Sequence, residues 1–291
     1  GDVAGNYTFK ISYKNKDGKE VVARTISVSV KNTTTANADS WKLNITNDNV
    51  DIKADKDNKT DKVVTAEIIG SADGADLYSL TNVNYVVKKA DGTVLFSTVA
   101  GTTSAKAPKA GVFTVSNGAL SIKVSEQSNT WTDNGKTNYE ITKNLEAGTY
   151  TVYAEGVDNN NSKFTPKITT TFTVKDSQAK ATAVVKTNSI DARATTGSAV
   201  EAVLADSVVA KYGDYTYTNF KDYIDAHDTF EVCTVEGKKN NGTDISWDTV
   251  IGKGEGFTVT KVTVWVNVGT DDVPVWLAVE VPDITGYFSV K

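Results

Sequence analysis

Apolar residues fall at every second position through long stretches of this chain, the spacing of strands that bury one face. Tyr7, Phe9, Ile11 and Tyr13 alternate with polar residues, and Ile26, Val28 and Val30 alternate on the way back. Between them, Asn15-Lys16-Asp17-Gly18 supplies a turn in which Asp-Gly takes positive φ. Trp41, Leu43 and Ile45, then Val50 and Ile52, continue the pattern, and 63–69 reads as a further strand. Val83, Tyr85 and Val87 lead into the tight turn Ala90-Asp91-Gly92, from which Val94-Leu95-Phe96 returns. The segment 111–115, the turn Asn117-Gly118 and Leu120-Ser121-Ile122-Lys123-Val124 predict another hairpin.

One motif occurs twice. Ala4-Gly5-Asn6-Tyr7-Thr8 opens a strand pair that closes at Val28-Ser29-Val30-Lys31-Asn32. Ala147-Gly148-Thr149-Tyr150-Thr151 opens another, which closes at Phe172-Thr173-Val174-Lys175-Asp176 after a loop one residue longer. A Gly-x-Tyr lead into a late strand, followed by an alternating return, is how an immunoglobulin-like sandwich ends. The fold class expected is therefore mainly β, with tandem immunoglobulin-like β-sandwich modules. Residues 1–32 are expected to be the closing hairpin of a truncated module, and 38–176 a complete one. Its excess length falls in loops at 55–61, 71–76 and 98–110. Polar linkers are expected at 32–37 and 176–180.

Residues 180–291 read differently, as a β-rich domain with one or two short helices. Ser198-Ala199-Val200-Glu201 has the form of a capping box. Val200, Val203, Leu204 and Val208 follow helical spacing, predicting a helix near 199–211 that Gly213 ends. Phe220, Tyr223, Ile224 and His227 suggest one more helical turn. Strands then resume. Val262, Val264, Val266 and Val268 share a face with Trp265 opposite, Gly269-Thr270-Asp271-Asp272 turns the chain, and Val275, Leu277, Val279 and Val281 alternate back.

Composition narrows the function. The net charge is −5, and the lysines are interspersed with acidic residues, so no basic face is available to displace counterions from nucleic acid. No apolar run reaches the length of a membrane span. There is no Met, one Cys, one His and two arginines, Arg24 and Arg193. A lone Cys233 forms no disulfide within the chain and reads as a small buried hydrophobe. His227 is the only candidate histidine base, and no Gly-x-Ser-x-Gly elbow accompanies it. Gly252-Lys253-Gly254-Glu255-Gly256 lacks the Gly-Lys-Ser/Thr ending of a phosphate loop and reads as a hairpin. No enzymatic activity is expected. Scarce sulfur suits a protein exposed to oxidants outside the cell.

Two constellations remain as candidates. Asp55, Asp57 and Asp61 are spaced as in a calcium loop, but Lys59 holds a ligand position, Thr60 replaces the glycine, and Ala66 stands where a bidentate Glu belongs. A solvated hairpin tip and a Ca2+ site are both open there. Trp131 lies in the polar stretch Asn129-Thr130-Trp131-Thr132-Asp133, and Tyr215, Tyr217 and Tyr223 cluster further on. Exposed flat rings of this kind stack on sugars, and they equally serve as core.

The two Gly-x-Tyr hairpins, at 4–32 and 147–176, come with an acidic balance, Lys in place of Arg, no Met, and Thr-, Val- and Asn-rich strands. In these respects the chain resembles bacterial surface-layer (S-layer) proteins with immunoglobulin-like domains. The resemblance implies an extracellular location at the bacterial cell surface. It implies partners that are copies of the same chain, assembled into a two-dimensional lattice often with calcium, and attachment to a cell-wall polymer through an upstream region. No S-layer-homology anchoring motif is present. The alternatives are an adhesin or carbohydrate-binding module that takes a glycan through Trp131, Tyr215, Tyr217 and Tyr223, and accessory domains of a large exported hydrolase.

Overall fold

The structure, a computed structural model, describes residues 5–30, 40–72, 75–102, 104, 108–156, 166–191, 197–212, 215–217 and 232–291. The helical turn expected around Phe220, Tyr223, Ile224 and His227 lies outside the described residues, as does the linker expected at 32–37. The chain is mainly β, with sandwich-like sheets. In order the strands are β1 (Gly5–Lys14), β2 (Glu20–Val30), β3 (Ser40–Thr46), β4 (Asn49–Asp51), β5 (Lys62–Ala72), β6 (Ala75–Ser79), β7 (Val83–Lys89), β8 (Val94–Ser97), β9 (Phe113–Ser116), β10 (Ala119–Asp133), β11 (Lys136–Lys143), β12 (Gly148–Gly156) and β13 (Lys167–Lys175). There follow β14 (Ala181–Val185), β15 (Ser189–Ile190), β16 (Ser198–Ala199), helix α1 (Val200–Ser207), β17 (Val208–Tyr212), β18 (Tyr215–Tyr217), β19 (Val232–Lys239), β20 (Val250–Ile251), β21 (Gly256–Asn267), β22 (Val275–Glu280), a 3-10 turn (Pro282–Ile284) and β23 (Gly286–Val290). They form two compact units.

The first unit comprises residues 1–48, 64–122 and 149–172. In it β3, β5 and β6 pair antiparallel, β9 pairs the start of β10, and β12, β7 and β8 make a second sheet. Alternation does what the sequence predicts. Val64, Ala66 and Ile68 of β5 are buried, as are Val83, Tyr85 and Val87 of β7 and Tyr150, Val152 and Ala154 of β12. Tyr85 reaches from β7 to the other sheet, where its hydroxyl lies 3.0 Å from the carbonyl of Ala66 and 2.6 Å from that of Gly118. Burial pushes the Tyr85 phenol well above its ordinary pKa, keeping it a donor. The turn it secures needs its glycine. Asn117 and Gly118 both have positive φ, and a Cβ at Gly118 would collide with the carbonyl of Leu80.

The second unit comprises residues 49–63, 123–148 and 173–291. Its main sheet runs from the far part of β10 through β11, β22 and β21 to β19 and β23. Val262, Val264 and Val266 of β21 are buried in one cluster with Phe257, Phe288 and Val200, Val203 and Leu204 of α1. The expected valine face of β21, with Trp265 on the other side, is thus what this core uses.

Two expectations for α1 need correction. Ser198 does not cap it. Ser198 and Ala199 form β16, paired with Ile251 and Val250 of β20, and the residue before the helix is Ala199 without a side-chain cap bond. The first helical N–H groups are satisfied from elsewhere: Val200 donates to the carbonyl of Thr249 and Glu201 to that of Trp247. A neighbouring strand end replaces the serine. The helix also stops at Ser207 rather than running on toward Gly213, because 208–212 is β17, paired with β14. Val208 is still buried, on a strand.

Candidate functional site

Residues 176–180 read as a linker in the sequence, but in the second unit the chain leaving β13 is laced down. Thr173, Val174 and Lys175 pair in parallel with Asn49, Val50 and Asp51, and Ile52 donates to the carbonyl of Lys175. Asp51 then accepts from the Ser177 hydroxyl and from the backbone N–H groups of Ser177 and Lys53. Gln178 accepts from the Ala54 N–H at 2.8 Å and donates to the Tyr212 hydroxyl at 3.2 Å. Lys143 grips both oxygens of Asp176 at 2.8 and 2.9 Å. Below this lies Lys62, half-buried, donating to the carbonyls of Asp51 and Lys53.

The electrostatics follow from that lacing. Burial raises the Asp51 carboxyl, but the Ser177 hydroxyl, the two N–H groups and the Lys62 charge outweigh it and hold its pKa below the ordinary value. Burial also depresses the Lys62 ammonium, against the pull of Asp51 and Asp55. Each charge here is spent on holding backbone. The Ser177 hydroxyl donates to the Asp51 carboxylate and stitches the two segments together.

The aspartates of the calcium reading do not come together. Asp55 turns back on its own loop, accepting from the N–H groups of Asp57 and Asn58, with Lys53 at 3.4 Å. Asp57 pairs with Lys56, and Asp61 with Lys123 at 2.9 Å while accepting from the Gln127 N–H. Lys59 lies over the Tyr139 ring, 4.6 Å from its centroid. Among the described residues no three His, Cys, Asp or Glu side chains converge as a metal ion requires. Lysines pair with Asp55, Asp57 and Asp61, the carboxylates that the calcium reading would use.

Trp131 is not a solitary ring on a polar stretch. It lies on β10 facing Asn138 of β11, and its ring centroid is 6.2 Å from Trp265 of β21 and 6.5 Å from Trp276 of β22. Trp265 and Trp276 are 6.2 Å apart, so the three rings touch one another. Trp276 is buried, and its indole N–H donates 3.0 Å to the Asn138 side-chain oxygen. The trio ties β10 and β11 to β21 and β22. Of the tyrosines expected beside it, Tyr215 and Tyr217 lie on β18, paired with Tyr212 and Ala210, and Tyr223 lies outside the described residues. The turn between β10 and β11 is Asn134-Gly135, with both φ positive. The convergence of three strands was not legible in the sequence.

No protein-family model matches the chain, and no curated protein matches it in sequence. Among solved structures it is similar to domains 4–9 of the surface layer protein SbsC, at 16% identity and a TM-score of 0.33, over 96% of this chain and 39% of that one. It is also similar to murine CEACAM1b, at 12% identity and a TM-score of 0.24, over 87% of this chain and 100% of that one. A third is a Ca2+-stabilised adhesin of an Antarctic bacterium that binds ice, at 12% identity and a TM-score of 0.20, over 98% of this chain and 57% of that one. The chain thus spans well under half of the SbsC fragment. Its assignment as mainly β stands on its own strand pairing. No helix among the described residues is long and apolar enough to cross a membrane.

Proposed function

We propose that this chain is an extracellular structural protein, whose β-modules pack rigidly and associate with copies of themselves into a surface layer or stalk. The observation that carries the reading is the locked segment after β13. A chain that must hold shape outside the cell needs few slack segments, and within the second unit a segment expected to be a linker is fixed by Asp51, Gln178 and the Lys143–Asp176 pair. The absence of Met and the single Cys in the sequence fit exposure to oxidants.

Hydrogen exchange tests the reading. The N–H groups of Ile52, Ala54 and Ser177 are expected to exchange as slowly as those within β13, because all three are held by partners across the joint. Exchange at the rate of a free loop would overturn it, since a slack joint transmits no shape.

A further inference from the structure

The chain holds three Asn-Gly pairs, Asn117-Gly118, Asn134-Gly135 and Asn241-Gly242. Asparagine is thermally labile, and most so before glycine, where no side chain shields the following backbone nitrogen. That nitrogen gives up its proton to base and attacks the Asn Cγ. A C–N bond forms, the Cγ–Nδ2 bond breaks, and the amide leaves as ammonia. Water then opens the cyclic imide at either carbonyl, leaving an aspartyl or isoaspartyl residue. No oxidant or reductant takes part. Closure requires rotation about the Cα–C bond of Asn, so a tight turn must first leave its folded geometry. The fold therefore decides which pair reacts, through the cost of opening each one locally.

The first two turns are alike in themselves. Asn117 and Asn134 have φ of 49° and 48°, and Gly118 and Gly135 of 78° and 76°. Their surroundings differ. Gly118 is buried, its carbonyl takes the Tyr85 hydroxyl at 2.6 Å, and the Leu80 carbonyl lies where its Cβ would be. Opening that turn dismantles part of a core. Gly135 has open space where a Cβ would be, and residues 132–137 around it are all exposed. The Asn134 amide makes a long contact, 3.4 Å, to the Asp133 carboxylate. Asn241-Gly242 is also at the surface, but it is tied. The attacking nitrogen of Gly242 donates to the Lys239 carbonyl at 2.9 Å. The Asn241 side-chain oxygen accepts from the Thr243 N–H at 3.1 Å, and the Lys238 ammonium lies 3.4 Å from the Gly242 carbonyl.

We propose that Asn134 is a modification site, deamidated through the nitrogen of Gly135, while the fold spares Asn117 and Asn241. The product changes the hairpin tip. A second carboxylate then stands beside Asp133, whose ladder partner Lys136 already lies 3.8 Å from Asp272. An isoaspartyl product also lengthens the backbone of the turn by one carbon. Charge and length change at the tip, while the β10–β11 ladder behind it, from Thr132 with Thr137 to Asn129 with Glu140, keeps its pairing. The reaction needs only water and base, so its extent records the age of the folded chain.

Peptide mapping by mass spectrometry tests this on the 291-residue chain, kept folded in mildly alkaline buffer and sampled over time. Asn134 is expected to convert at least about tenfold faster than Asn117 or Asn241, a ratio equivalent to about 1.4 kcal/mol in barrier. In urea, with the turns undone, the three rates are expected to converge. Asn134→Gln is expected to abolish the leading product. Tyr85→Phe, which frees the Gly118 carbonyl, is expected to raise the rate at Asn117 and leave that at Asn134 unchanged. Comparable rates at the three pairs of the folded chain overturn the proposal, as does a lead by Asn117 or Asn241. A folded chain that gives no product at Asn134 while the unfolded chain does also overturns it. A difference that persists in urea does the same, since the fold is then not its cause. An unchanged rate at Asn117 in Tyr85→Phe overturns the assignment of its protection to packing.

Discussion

Asn138→Ala isolates the interaction that closes the tryptophan trio. The side-chain oxygen of Asn138 is the acceptor of the Trp276 indole N–H at 3.0 Å, and both residues are buried. Its amide makes only a long bond, 3.3 Å, to the carbonyl of Lys136. Truncation therefore leaves one buried N–H with no partner, which costs about 1–3 kcal/mol, with little else lost. Trp276→Phe removes the same N–H together with part of two ring contacts, each worth about 0.5–1.5 kcal/mol beyond burial. In the double variant the orphaned donor no longer exists, so its cost should be less than the sum of the single costs by about 1–2 kcal/mol. Urea unfolding followed by tryptophan fluorescence reads this directly, because three of the five tryptophans sit in the trio. Additive costs, or a neutral Asn138→Ala, would refute the claim that this bond secures the cluster.

Three further outcomes are expected. Tyr85→Phe should lower stability by about 1–2 kcal/mol, since the carbonyls of Ala66 and Gly118 lose their shared donor inside the sandwich; calorimetry should show a Tm lower by several degrees, and an unchanged Tm would count against the bridge between sheets. Millimolar Ca2+ should leave Tm unmoved, whereas a site filled a hundredfold above its Kd would add about 2.7 kcal/mol. Asp51, Asp55 and Asp61 all have folded pKa values below the ordinary 3.8, so near and below that value the unfolded chain binds more protons. Their contribution is then complete above the ordinary carboxylate range and is lost as pH falls through their folded values. Asp51→Asn should flatten the fall in Tm on acidification below about pH 4 relative to wild type, and an identical acid profile would deny Asp51 its role in the joint.

What the sequence made legible was local. Alternation at Val83, Tyr85 and Val87, and along the valines of β21, predicted strands with the right buried face, because a period of two is a property of the strand itself. Asn117-Gly118 predicted its turn because positive φ is a property of those residues. Ser198 misled because a capping box describes a helix end in isolation, whereas Val200 and Glu201 find their acceptors at Thr249 and Trp247, some fifty residues away. Val208 misled because helical spacing and burial agree there, while pairing with Val185 in β14 makes the segment a strand.

The structure sets the candidate residues among partners distant in sequence, which the sequence does not reveal. Asp55, Asp57 and Asp61 have a calcium spacing, but Lys123, distant in sequence, takes Asp61. Trp131 looks like a free ring until β21 and β22 bring Trp265 and Trp276 against it. Residues 176–178 look like a linker until Asp51 and Ala54, more than a hundred positions earlier, supply their partners. In each case the partner comes from a part of the chain distant in sequence. The alternating residues of β1 and β2 show the same limit, with Phe9 56% and Ile11 53% exposed. Their alternation is the same as that of buried strands, and only the structure distinguishes a face already covered, at Tyr150, from one still bare, at Phe9.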